Sequence, residues 1–257
     1  MAKRNRATLR KFFKKGQIPR EEHFYDLIDS TLNIIDEGFL KTSENGIEIS
    51  LIGESNKIFS VYHNSSAAQP LWTCATDLKI NSYVISDREN IPVLSITQEH
   101  KIGINTPAPA WELDVKGTIA SSGRIGNFKQ GTVPANGKWH TIIDNLDGCN
   151  AFEIISGVGK HATGKYALMH ALAVSTFHSR NRIRVTQAHY GLFFKKMKLR
   201  WVGKQHSYGL QLKTRSNYGA DVNIQYNISL LWFDPFMKNS NPNTDHTSPE
   251  FTSDELT

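Results

Sequence analysis

A chain of 257 residues, 39% apolar, with a mean hydropathy of −0.41 and a formal net charge of +6, can hold two small domains or one domain plus extended segments. No run approaches the about 18 apolar residues of a membrane helix, so membrane insertion is not expected. Two cysteines, Cys74 and Cys149, lie far apart and outside any CxxC, which excludes a disulfide framework and a zinc ribbon.

Charge is unevenly spread along the chain. Residues 1–20 carry eight Lys or Arg and no acid, and residues 154–220 carry twelve and no acid. The last twenty residues reverse the sign, with four acids against one lysine. Such asymmetry reports an interaction surface, or tails that stay solvated.

The basic start, "MAKRNRATLRKFFKKG", has no apolar segment behind it and does not read as a secretory signal. It leads into "IPREEHFYDLIDSTLNIIDEGF". Pro19, Glu21 and Glu22 suit a first helical turn. Phe24, Leu27, Ile28, Leu32 and Ile35 then recur at helical spacing and Gly38 is a stop, which predicts one amphipathic helix of about eighteen residues. Residues 1–40 are thus expected to form a basic arm and a docking or trimerisation helix.

From 41 to 126 the texture is that of short strands: "GIEISLIG", "KIFSVYHN", "LKINSYVIS", "PVLSITQEHKIGI" and "WELDVKGTIA", separated by turn residues. The region lacks the large apolar residues of an independent core. A segment of this kind takes its second apolar layer from neighbouring copies, so a slender β-rich shaft is expected.

Within it, "KIGINTPAPAWELDVKG" (101–117) sets a strand, a corner that its prolines keep from being helix or central strand, and a second strand closed by glycine. Gly103, Ile104, a shifted Thr106, Pro107 or Pro109, Leu113, Val115 and Gly117 follow a G-I-x-T-x-x-P-x-x-x-L-x-V-x-G pattern. Asn105-Thr106 replaces its usual glycine–threonine pair. The stretch resembles an element of trimeric phage tail fibres and related bacterial surface fibres, placed where an intertwined shaft gives way to a globular head. The leading segment is similar in texture to the front end of fibre-like proteins of phage tails and contractile injection systems. The resemblance implies a homotrimer, baseplate or other particle proteins as partners, and a particle-associated location after synthesis in the cytoplasm.

Residues 127–236 alone carry enough apolar side chains for a self-contained core. Alternation in "KWHTIID", "AFEIISGV", "RIRVTQAHYGLFFKKMKLRWVG", "YGLQLKTR" and "DVNIQYNISLLWF" predicts an antiparallel β-sandwich head. "YALMHALAV" reads equally as helix or strand. Residues 237–257 are polar and acidic and are expected to be disordered.

No constellation predicts catalysis, a cofactor or a metal. "GKHATGKY" (159–166) has phosphate-loop spacing, but Tyr166 occupies the place of the magnesium-binding hydroxyl, and a turn between strands is expected. His161, His170, His178 and His189 fit no single ligand set. Asp144, Asp147 and Glu153 cluster as turn formers. The acid-free stretch does predict a face for an anionic partner: Arg182, Arg184, Lys196, Lys198 and Arg200 on one sheet face, with Trp201, Tyr190 and Tyr208 nearby. An acidic or phosphorylated surface glycan, an acidic protein ring and single-stranded nucleic acid all fit that chemistry. The expectation is an adhesive fibre subunit. The alternatives are an internal adaptor, plug or cargo of the same particle, or a basic nucleic-acid-binding protein.

Overall fold

The computed structural model describes residues 4–31 and 33–240, without the side chains of Ile34 and Ile35. The expected disordered tail therefore lies almost wholly outside the described residues. The chain divides into two compact units, Met1–Ala120 and Ser121–Thr257. The described residues are mainly β, with sixteen strands in four sheets and three α-helices of four to eight residues.

In the first unit the basic arm is itself partly helical. Asn5 Oδ1 accepts the Thr8 N–H at 2.9 Å and starts α1 (Arg6–Phe12). The apolar helix α2 spans only Glu21–Ile28, followed by a short α3 (Ile34–Glu37). The single long helix is thus corrected to two pieces. After Ile28, the Ser30 and Thr31 hydroxyls donate to the carbonyls of Asp26 (2.6 Å) and Ile28 (2.8 Å), and this back-bonding competes with helix continuation. Of the expected stripe, Leu32 and the side chain of Ile35 lie outside the described residues. α1 and α2 pair through Phe12 stacked on His23, Phe13 edge-on to Phe24, and Arg4 on Asp26 at 3.1 Å.

A hairpin of β1 (Phe39–Thr42) and β2 (Gly46–Ile49) precedes a six-stranded sheet. That sheet comprises β3 (Lys57–Val61), β4 (Trp72–Asp77), β5 (Ser82–Ser86), β6 (Pro92–Thr97), β7 (Ile102–Ile104) and β8 (Leu113–Val115), in sequence order. All neighbours are antiparallel except β7 and β8, which run parallel. The proline corner of 101–117 is therefore a short crossover, not a hairpin. Asp114 Oδ2 accepts the Ala110 N–H at 3.0 Å and holds its far end, while Asn105 turns the near end at φ +57°. Gly103 is required by space: a Cβ there would sit 2.3 Å from Thr106 O and 2.5 Å from Ser95 Oγ. Those two atoms hydrogen-bond at 2.7 Å, Ser95 donating, and clamp the crossover onto β6.

The second unit has two antiparallel sheets. β13 (Arg180–Tyr190), β12 (Lys165–Thr176), β11 (Cys149–Lys160), β16 (Asn223–Leu230) and β9 (Lys129–Pro134) form one, in that order. β10 (His140–Leu146), β15 (Ser207–Thr214) and β14 (Met197–Lys204) form the other. Phe152, Ile154, Met169, Ile224 and Ile228 from the large sheet and Ile142, Met197, Leu210 and Leu212 from the small one share a single core, the arrangement of a β-sandwich. "YALMHALAV" is strand β12, and "GKHATGKY" is the β11–β12 hairpin turn, with Ala162 and Gly164 at positive φ.

Candidate binding surfaces

The first surface is the sheet of the N-terminal unit. Its register places Phe59, Cys74, Ile85, Leu94 and Ile104 in one row across five strands. Val61 and Trp72 extend it at one end, and Ile96, Ile102 and Leu113 at the other. Alternation sends all of these to the same face. Phe59, Val61, Trp72, Ile96, Ile102, Ile104 and Leu113 are exposed on it. The opposite face carries Thr73, Ala75, Ser82, Val84, Ser95 and Gly103, which are small. Large apolar residues thus line the open side and small ones the other. Of the 23 buried apolar residues among those described, two, Cys74 and Val84, belong to this unit. On α2, Phe24, Leu27 and Ile28 are exposed in the same way.

A second apolar face lies on the outside of the large sheet. β12 sends Ala167, Met169, Ala171 and Ala173 inward and Leu168, Leu172 and Val174 outward, with exposures of 60%, 40% and 47% for the last three. A strand apolar on both sides is ordinarily covered on both sides. Ile155, Tyr166 and Tyr190 widen the patch. Glu153, on the same outer face, binds Arg124 Nη2 at 2.6 Å and His170 Nε2 at 2.9 Å. Asp147 instead sits in the β10–β11 turn, where its Oδ1 accepts the Gly148 N–H at 2.7 Å.

The third surface is basic, and it differs from the one expected. Arg182 and Arg184 lie on β13 at the edge of the large sheet, whereas Lys198 and Arg200 lie on β14 at the edge of the small one, with Lys196 just ahead of it. The predicted five-residue strip on one sheet face is therefore two separate groups. Trp201 faces inward: it packs on the core beside Phe152 and Tyr208. Tyr208 is also buried, donating to Gly148 O at 2.8 Å and accepting from Asn150 Nδ2 at 2.7 Å, and burial holds its phenol above the usual range.

Sequence reading missed what completes the group on the small sheet. Lys213 on β15 stands directly opposite Lys198, and Gln211 opposite Arg200. Arg200 lies 4.2 Å and Lys213 4.7 Å from the centre of the Trp139 ring. Arg200 Nη2 donates to Gln211 Oε1 at 2.8 Å, and Gln211 Nε2 donates to Thr141 Oγ1 at 3.2 Å. Lys213 alternates with Leu212 and Thr214, a signal visible once "YGLQLKTR" is read as a strand beside "KMKLRW". Among the described residues, none of Lys198, Arg200 and Lys213 forms an ion pair with a carboxylate.

No group of three or more His, Cys, Asp or Glu side chains suited to a metal is present among the described residues. No helix among them is long and apolar enough to cross a membrane. Comparison with protein-family models and with curated proteins finds no match to this chain.

Proposed function

We propose that this chain is a structural and adhesive fibre subunit of a phage tail or a phage tail-like contractile injection particle, working as a homotrimer. The observation that carries the reading is the open apolar face of the six-stranded sheet. A single sheet with its large side chains outward gains little by folding alone, whereas burial against sister copies is worth about 25 cal/mol per Å² of apolar surface. Three copies around an axis supply one another's second layer on that face. The outer face of β12 supports the same arrangement in the second unit. The particle context rests on the resemblance at residues 101–117 and on the basic, partly helical N-terminal segment, which docks the fibre on a baseplate protein. The head then acts through multivalency: three identical weak sites on one stalk make the later contacts intramolecular and raise avidity.

Light scattering on the purified chain tests the reading. One chain weighs 29.0 kDa, and a trimer has about three times that mass. The double variant Ile96→Asp/Ile102→Asp, which charges the centre of the open face, is expected to return the mass to that of one chain while the second unit stays folded. A wild-type chain that is a compact monomer in dilute solution sinks the proposal.

A further inference from the structure

We propose that the outer face of the three-stranded sheet is a platform for an anionic polysaccharide, a chain of sugars bearing sulfate, phosphate or carboxylate groups. The inference rests on the adhesive reading above and names what the head holds. Its core is Lys198, Arg200 and Lys213, arranged around Trp139 with Gln211 and Thr141.

The partners that Arg200 and Lys213 find within the chain, Trp139 and Gln211, are uncharged and leave the positive charge unneutralised. Lys198 and Lys213 are directly opposite on an antiparallel pair, and like charges so placed oppose stability. The three strands carry a single acid, Asp144, on β10; β14 and β15 carry none. A protein surface ordinarily intersperses the two signs. Here the field of one sign is left unneutralised, which is the electrostatic footprint of an anionic partner. Strands lie about 4.8 Å apart and alternate residues about 6.8 Å apart along each, so the three cations form a flat triangle that an extended polyanion crosses in one pass. Arg200 donates from Nε (3.1 Å) and Nη2 (2.8 Å) to Gln211 Oε1, so the edge it offers a sulfate, phosphate or carboxylate oxygen is the remaining one, formed by Nη1 and the second Nη2 hydrogen. Gln211 and Thr141, held to each other at 3.2 Å, set donors and acceptors among the charges for sugar hydroxyls.

The same details argue against nucleic acid. Single strands are held by bases stacking on free aromatic faces. The Trp139 ring is occupied by its own two cations. A flat sheet face has no helix or ribbon to enter a duplex groove.

Binding of the full chain to a heparin oligosaccharide, to its desulfated counterpart and to a single-stranded oligodeoxynucleotide of equal charge tests this at about 0.15 M salt, where only close charges are felt. The sulfated sugar is expected to bind, and the desulfated one, which keeps only its carboxylates, to bind more weakly. Lys198→Gln/Arg200→Gln/Lys213→Gln is expected to weaken binding about tenfold or more, and Arg6→Gln/Arg10→Gln/Lys11→Gln, which removes three charges elsewhere, by less than about twofold. Lys198→Gln alone is expected to raise the melting temperature slightly, because the like-charge pair is relieved. Equal losses in the two triple variants, no binding of the sulfated sugar, tighter binding of the oligodeoxynucleotide through the same three residues, or a lower melting temperature for Lys198→Gln would each overturn the platform. Mass measured on the same samples separates the two proposals: the platform variant leaves it unchanged, and only the mass bears on the fibre.

Discussion

The two units use similar strands to different ends. In the second, Phe152, Ile154 and Leu210 are fully enclosed between two sheets of the same chain. In the first, residues of comparable size, such as Phe59, Ile96 and Ile102, stand on the open side of one sheet. Alternation at period two is present in both and does not distinguish them. What differs is whether the chain supplies a second layer for the apolar side. A sheet becomes a domain when it has one and an assembly element when it must find one elsewhere.

The largest expected effect comes from cutting the enclosed core. Phe152→Ala leaves a cavity at the centre of the sandwich and is expected to cost about 3–5 kcal/mol, lowering the melting temperature of the second unit at every protein concentration. The first unit should respond differently: under the proposed association its melting temperature is expected to rise with protein concentration. If Phe152→Ala melted both units together at all concentrations, the contrast would fail. A second variant works inside the first unit. Gly103→Val forces a side chain into Thr106 O and Ser95 Oγ and is expected to cost about 1–3 kcal/mol by overpacking. Limited proteolysis should then cut between residues 92 and 117 while the second unit melts as before.

The smallest effect appears at alkaline pH. Burial raises the phenols of Tyr208, Tyr218 and Tyr226 in the second unit above 10.0. In the first, Tyr83 is pushed up to about 12, chiefly by its hydrogen bond with Cys74 and then by burial. A phenol that keeps its proton longer when folded leaves stability intact below pH 10 and lowers it as pH climbs through the raised pKa. These three buried phenols should make the second unit lose stability in calorimetric scans above pH 10. Tyr218→Phe should flatten that slope, and an unchanged slope would discount burial as its cause.

Much of this was legible in the sequence. The mainly β character followed from the period-two runs and their turn residues. The expected shortage of large apolar residues in the middle of the chain is corrected: Phe59, Trp72, Ile96 and Ile102 are there but stand exposed, and exposure of this kind depends on strand register, which composition does not reveal. β4 is hard to read in the sequence because adjacent Cys74 and Ala75 in "WTCATD" break the alternation and Trp72 is its one large apolar residue. β9 escaped notice because Gly131 and Pro134 obscure the pattern in "KQGTVP". The break after Ile28 depends on two hydroxyls turning back to carbonyls, which apolar spacing does not reveal. The basic cluster on the small sheet was the least legible part. The acid-free stretch contains these cations, but only strand pairing decides which of them become neighbours, and it joins Lys198 to Lys213 while separating both from Arg182 and Arg184.

The edges of the sandwich have a bearing on how copies can meet. β13 and β14 each end a sheet, and an unpaired strand end of this kind is an invitation to add another chain by backbone hydrogen bonding. Arg180, Arg182 and Arg184 line one such border, and Lys198, Arg200 and Lys204 the other. Two molecules approaching border to border set these cations against their own images. Continuous ribbon growth through these two borders is thereby discouraged.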